Sequence, residues 1–194
     1  MISIIDYGMG NLRSVQKAFE RIKCSARISS DVNDIIHADK IVLPGVGNFE
    51  KGIANIKAHG LFDILNQAVI VKKVPILGIC LGMQLMTEHS EEGNAAGFGW
   101  ITANTKKFTF EKSELKIPHM GWNNLLIKNN ASLFSGLNEE SFFYFVHSYF
   151  VSCNLSEDVL AETNYGIKFV SAFSKENIYG CQFHPEKSHA AGLK

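Results

Sequence analysis

Cysteine is scarce in this 194-residue chain, and the few present do not pair up. Cys24, Cys80, Cys153 and Cys181 are scattered, with no CxxC couple and no zinc-type spacing, so neither a disulfide scaffold nor a metal site is expected. They read as reduced thiols of a cytoplasmic protein. Charge of one sign is missing too. Lys+Arg number 19 against 19 Asp+Glu, which argues against nucleic acid or an anionic membrane as the partner. No apolar run approaches the roughly 20 residues of a membrane span. The opening Met1-Ile2-Ser3-Ile4-Ile5-Asp6 lacks the basic region and the long apolar stretch of a signal peptide. Only 4 prolines occur, and no Pro/Gly/Ser-rich linker, repeat or low-complexity tract divides the chain. Residues 1–194 are therefore expected to form one domain, long enough to bury one substantial core. The chain stops at Gly192-Leu193-Lys194, just as a helix is expected to begin, so a closing helix is expected to be absent.

What is present alternates. Ile2–Ile5, Ser25–Ser29, Lys40–Leu43 and Val74–Ile79 read as strands. Leu12–Ile22 carries Leu12, Val15, Ala18, Phe19 and Ile22 at helical spacing. Val32–Ile36 reads as a short helix, 53–71 as one or two helices broken at Gly60, and 81–89 as another. Strands alternating with helices predict a doubly wound α/β fold with a mostly parallel open sheet and flanking helices. The second half is richer in strands. They are expected at 101–110, 124–127, 142–152, 160–162, 169–174 and 178–183, with turns such as Asn129-Asn130 and Ser135-Gly136. These predict antiparallel strands added to the parallel core.

The chemistry concentrates in three places. Gly78-Ile79-Cys80-Leu81-Gly82 follows an apolar strand, the pattern of a nucleophile elbow with sulfur as the reactive atom. A sharp strand-to-helix turn needs glycine on both sides, brings the Leu81 N–H near the sulfur, and adds a helix N-terminus that favours thiolate. A thiolate needs a base, and the base an orienting acceptor. Gln182-Phe183-His184-Pro185-Glu186 follows the last strand, so His184 reaches the sheet edge expected for Cys80, with Glu186 close enough to turn back on the imidazole. Pro44-Gly45-Val46-Gly47 ends another strand, where backbone amides could serve an oxyanion. Each motif alone has a plainer reading: a buried cysteine between chance glycines, a surface His-Pro turn, an ordinary turn. Gly8-Met9-Gly10 lacks the third glycine of a dinucleotide fingerprint, since Arg13 stands there.

Taken together and in order, PGVGNF at 44–49, GICLGMQ at 78–84 and QFHPEKS at 182–188 resemble the class I, triad-type glutamine amidotransferases. IIDYGMGNLRSV at 4–15, PHMGWN at 118–123 and Phe145-Val146-His147-Ser148-Tyr149 narrow the resemblance to the glutaminase subunits of imidazole glycerol phosphate synthase. The resemblance implies hydrolysis of glutamine to glutamate and ammonia, with no cofactor. It implies delivery of ammonia through a tunnel to a separate (βα)₈-barrel cyclase subunit of histidine biosynthesis. It also implies roles: Cys80 as nucleophile, His184 as base and acid, Glu186 as its orienter, and Val46 and Leu81 at the oxyanion hole. Gly47, Gln84, Glu92, Ser148 and Tyr149 match glutamine-contacting positions. Asn11, His119, Met120, Trp122 and Lys187 match the cyclase-facing surface. Gly97-Phe98-Gly99-Trp100 and the short tail are less typical. Three alternatives stay open: a paralogous subunit feeding a sugar amidotransferase of surface-polysaccharide synthesis, a subunit of anthranilate or guanylate synthase, and a catalytically silent binding module. The MGWN block speaks against the second and the intact Cys80, His184 and Glu186 set against the third.

Overall fold

The computed structural model describes residues 1–110, 115–128, 132–138 and 140–194, without the side chain of Ser132. The turn expected at Asn129-Asn130 lies outside them. The chain opens with β1 (Ile2–Ile5), α1 (Leu12–Arg21), β2 (Ala26–Ser29), α2 (Val32–Ile36) and β3 (Lys40–Gly45). Next come α3 (Phe49–Ala58) and α4 (Leu61–Asn66), the latter continued by a π-helical turn at Gln67–Val71. β4 (Ile76–Cys80) runs straight into α5 (Leu81–Leu85). Strands dominate thereafter: β5 (His89–Ser90), β6 (Ala95–Ala96), β7 (Ala103–Lys107), β8 (His119–Asn124) and β9 (Leu126–Ile127). They are followed by β10 (Phe142–His147), β11 (Tyr149–Cys153), β12 (Val159–Tyr165), β13 (Ile167–Lys175), β14 (Ile178–Cys181) and a short α6 (His189–Gly192).

The main sheet has the order β2-β1-β3-β4-β14-β13-β11-β7-β5-β6, with β12 and β9 branching from β13. Its first five strands are mutually parallel. β13 pairs antiparallel with β14, and β11 pairs antiparallel with both β13 and β7. The mixed α/β class, the parallel block and the antiparallel extension thus follow the expectation. Alternation along the buried strands sends neighbouring residues to opposite faces. Ile5, Ile41 and Leu43 join the layer covered by Ile35 of α2, Ile53 and Ile56 of α3, and Leu61 and Leu65 of α4. Ile4 and Val42 join the opposite layer, with Val15 of α1, Phe143 and Phe183. Helices on both faces make the block doubly wound.

Local chemistry sets the element ends. Asp31 caps α2 by accepting from the amides of Asn33 and Asp34, and Asn48 caps α3 by accepting from Lys51 N. That cap starts α3 at Phe49, ahead of the expected Ile53. Gly60 does break the helical stretch, in a left-handed conformation with φ 67°. Other expectations need correction. The helix after Cys80 ends at Leu85, not His89. The Thr87 hydroxyl donates to Gln84 O at 2.8 Å and Glu88 N pairs with Ala103 O at 2.9 Å, which turns the chain into β5. The 142–152 stretch is two strands, interrupted at Ser148: β10 pairs with β8 in a separate two-stranded sheet. The 119–124 block, not expected as a strand, is its partner.

Candidate active site

Two glycines let the chain turn at Cys80. A Cβ on Gly78 would lie 2.7 Å from Met83 N, and one on Gly82 would collide with the Leu43 carbonyl oxygen. With both absent, α5 packs directly onto β3 and β4, and Cys80 takes φ 53° and ψ −109°. Such a conformation in a residue with a side chain costs about 1–3 kcal/mol and persists only where the surroundings hold it. It lifts the sulfur out of the strand at the carboxyl edge of the parallel block, with Leu81 at the start of α5, where the first amides have no intrahelical partner. Cys80 Sγ lies 3.9 Å from Val146 O, as donor, and accepts from Gln182 Nε2 at 3.6 Å.

His184 arrives at the same edge from the far end of the chain. β14 lies parallel to β4, with Gly180 opposite Gly78 and Cys181 opposite Ile79. Past β14, His184 N donates to Tyr144 O at 2.9 Å, and the Ser188 hydroxyl donates to His184 O at 2.6 Å. The imidazole Nδ1 meets Glu186 Oε1 at 2.8 Å, and both side chains are 2% exposed. A carboxylate acceptor fixes a proton on Nδ1 and leaves the buried Nε2 as the ring nitrogen available to Cys80. Burial works to lower the His184 pKa, but Cys80 and Glu186 outweigh it and raise the group to about 9.

The loop after β3 is held at both ends. The Tyr7 hydroxyl, fully buried, donates to Pro44 O at 2.8 Å, and Phe49 N donates to Glu92 Oε2 at 2.7 Å. Between these points Val46 is exposed and Gly47 has φ 110°, which favours glycine. The loop forms one wall of a pocket of about 280 Å³, the scale of a small ligand. Cys80 opens into it. Val46, Leu81, Gly47, Gln84, Glu92, Ser148 and Tyr149 all line it, together with Pro118, Val146 and His147. The Gln84 amide nitrogen donates to Tyr149 O and to Gln182 Oε1, each at 3.0 Å.

Behind the pocket lies a buried pair, His119 Nδ1 and His147 Nε2 at 3.0 Å, with His147 Nδ1 on Tyr149 O at 2.7 Å. Burial lowers His119 to about 4 and His147 to about 3. Both rings are neutral at pH 7. The Tyr149 carbonyl can only accept, so His147 is protonated at Nδ1 and takes the Nδ1–H of His119 at Nε2. Histidine in the unfolded chain titrates near 6.5, so the unfolded state binds protons that this pair refuses, and the pair's contribution to stability is lost as pH falls below about 6.5. His184 has the opposite sign: its contribution is complete below about 6.5 and lost as pH rises through about 9. Ring NMR is expected to show neither His119 nor His147 titrating above pH 5, and His184 titrating near 9. Either buried ring titrating near 6.5 contradicts the arrangement.

A thiol at a strained elbow, a buried imidazole–carboxylate couple and a small pocket beside them suit acyl transfer from a small amide or ester. The family model for class-I glutamine amidotransferases matches residues 3–192. The chain belongs to the class I glutamine amidotransferases. A Methanococcus maripaludis protein named imidazole glycerol phosphate synthase subunit HisH 2 is 51% identical to this amidotransferase, over 100% of this chain and 96% of that protein. A Pseudomonas aeruginosa protein of the same name is 43% identical with the same coverage. A crystal structure described as a glutamine amidotransferase has a TM-score of 0.78 at 15% identity, covering 99% of this chain and 94% of the other, a likeness of fold.

The residues of the amidotransferase expected at a partner surface divide. Asn11, Met120, Trp122 and Lys187 are exposed, Met120 by 62% and Trp122 by 47%. Trp122 stacks on His189 with ring centroids 5.0 Å apart, and Lys187 Nζ sits 5.5 Å from the centre of the Tyr144 ring. His119 is not on that face. It begins β8 on the inward side, 2% exposed, stacked against Phe145 and Tyr165. Five residues at the site have no role in the sequence reading: Tyr7, Pro118, Val146, His147 and Gln182. Gln182 was the most findable, two residues before His184 and therefore on the same side of an extended chain.

Proposed function

We propose that this amidotransferase is the cytoplasmic glutaminase subunit of imidazole glycerol phosphate synthase, working as a single domain with a separate (βα)₈-barrel cyclase subunit. The observation that carries the reading is the pocket into which Cys80 opens. Eight residues that the resemblance marks for nucleophile, oxyanion or glutamine line it. Names of the full-length relatives point to the same enzyme.

In this reading Cys80 Sγ attacks the side-chain amide carbon of glutamine. The carbonyl oxygen becomes an oxyanion that takes N–H bonds from Leu81 and from the Val46–Gly47 segment. His184, holding a proton at Nδ1 through Glu186, uses Nε2 to deliver the thiol proton to the departing ammonia. The γ-glutamyl thioester that remains is hydrolysed by water, with His184 now as base. Ammonia leaves toward the cyclase. Glu92 holds the start of α3 with one oxygen while lining the pocket, close to where an ammonium group of glutamine can sit.

The test mixes the purified chain with the histidine-pathway cyclase subunit, glutamine and the ribulosyl-formimino aminoimidazole carboxamide nucleotide. Glutamine-dependent formation of imidazole glycerol phosphate and aminoimidazole carboxamide ribotide is the expected result. Glutamine hydrolysis without either product, alongside ammonia transfer to a sugar amidotransferase, would reject the assignment of partner.

A further inference from the structure

Resting on the reading of Cys80 as nucleophile, we infer that Gln182 is a further catalytic residue, an amide donor that steadies the negative charge gathering on the Cys80 sulfur at attack. Gln182 is wholly buried. A buried amide must place both its ends on partners, and here each end has one. Its oxygen accepts from Gln84 Nε2 at 3.0 Å, and its nitrogen donates to Cys80 Sγ at 3.6 Å.

The orientation is determined by the neighbours. Tyr149 O is a backbone carbonyl, already accepting from His147, and can offer Gln84 only lone pairs. Gln84 must therefore turn its nitrogen inward, where its second hydrogen reaches Gln182. Gln182 must meet that hydrogen with oxygen, which leaves only its nitrogen for the sulfur. The backbone is fixed as well, with Gln182 N on Ser171 O at 2.9 Å. Turning the Gln182 amide over would set its nitrogen against the Gln84 nitrogen at one end and its oxygen against the sulfur's lone pairs at the other.

An N–H aimed at sulfur favours the charged form over the thiol. The bond is strongest to the free thiolate, at attack and again when the thioester breaks, and weakest while sulfur carries the acyl group. Gln84 would then serve twice, on the pocket wall and as the clamp that orients Gln182.

Alkylation by iodoacetamide reads the sulfur without glutamine or partner, so its outcome is independent of the proposed reaction. Peptide mass analysis follows Cys80, with the exposed Cys24 as internal reference. Gln182→Met keeps the length of the side chain and removes the donor. Cys80 alkylation at pH 7 is expected to slow about tenfold relative to Cys24, a hydrogen bond to a charged group being worth about that much, and to recover wild-type speed at higher pH. Gln84→Met, which frees Gln182 to turn, is expected to slow it in the same pH-dependent way. An unchanged Cys80 rate in both variants overturns the inference. So does a loss equal at every pH, which would report distortion of the elbow. If Gln182→Met does not fold, the Gln84→Met result decides.

Discussion

Cys80→Ser is expected to lose at least about 10³-fold in glutamine hydrolysis while keeping its fold, since removal of one member of a catalytic set forfeits most of the work of the set. The substitution is sterically small: serine meets the same φ of 53° and leaves Gly78 and Gly82 untouched. It removes the one atom that can be both a strong nucleophile at neutral pH and a good leaving group from the thioester. A second reading comes from His184. Cys80 is the larger of the two influences that raise its pKa, so the imidazole in the variant is expected to titrate at lower pH than in the parent chain. Steady-state assays with and without the cyclase, together with the NMR titration, check both points. Near-normal turnover in Cys80→Ser removes Cys80 from the mechanism.

The other large effect concerns partnership. The isolated chain is expected to be a slow glutaminase, and the cyclase with its nucleotide should raise kcat by about 10²–10³-fold, the value of one oxyanion donor, with little change in KM. The physical basis is the loop after β3. Tyr7 holds the carbonyl of Pro44 and Glu92 holds the amide of Phe49, so a change of peptide orientation is confined to the few residues between. There Gly47 tolerates either sign of φ. A reorientation of one peptide would bring its N–H to the oxyanion or turn it away, without moving α3 or β3. Kinetics of the chain alone, of the complex, and of the complex with nucleotide check it. Equal kcat in all three states rejects the switch even if Cys80, His184 and Glu186 all prove essential.

Much of this was legible in the sequence because the local signals and the fold agree. The elbow could be read at Gly78 and Gly82, since only glycine survives that close to Met83 and Leu43. His184 and Glu186 could be placed because strands of a doubly wound sheet deliver their carboxyl ends to one edge. Non-local pairing was what could not be read. Nothing within residues 142–152 says that the stretch divides between two sheets, because that follows from which strands lie beside it, β8 on one side and β7 and β13 on the other. The same gap misplaced His119. Its inward turn is a matter of strand phase, and residues 119–124 had not been read as a strand. Helix ends failed for a smaller reason, the Asn48 cap and the Thr87 hydroxyl bond to Gln84 O acting where periodicity carries no signal.

The juxtaposition of β4 with β14 has a consequence for biosynthesis. These strands touch along their length, yet about a hundred positions separate Gly78 from Gly180 in the chain. During translation Cys80 emerges about a hundred residues ahead of His184. A nascent or prematurely ended polypeptide thus carries Cys80 with no proton acceptor beside it. Catalysis can begin only once β14 has slotted in next to β4, a long-range closure of the kind that makes folding slow. A chain that ends before β14 is expected to release no ammonia from glutamine.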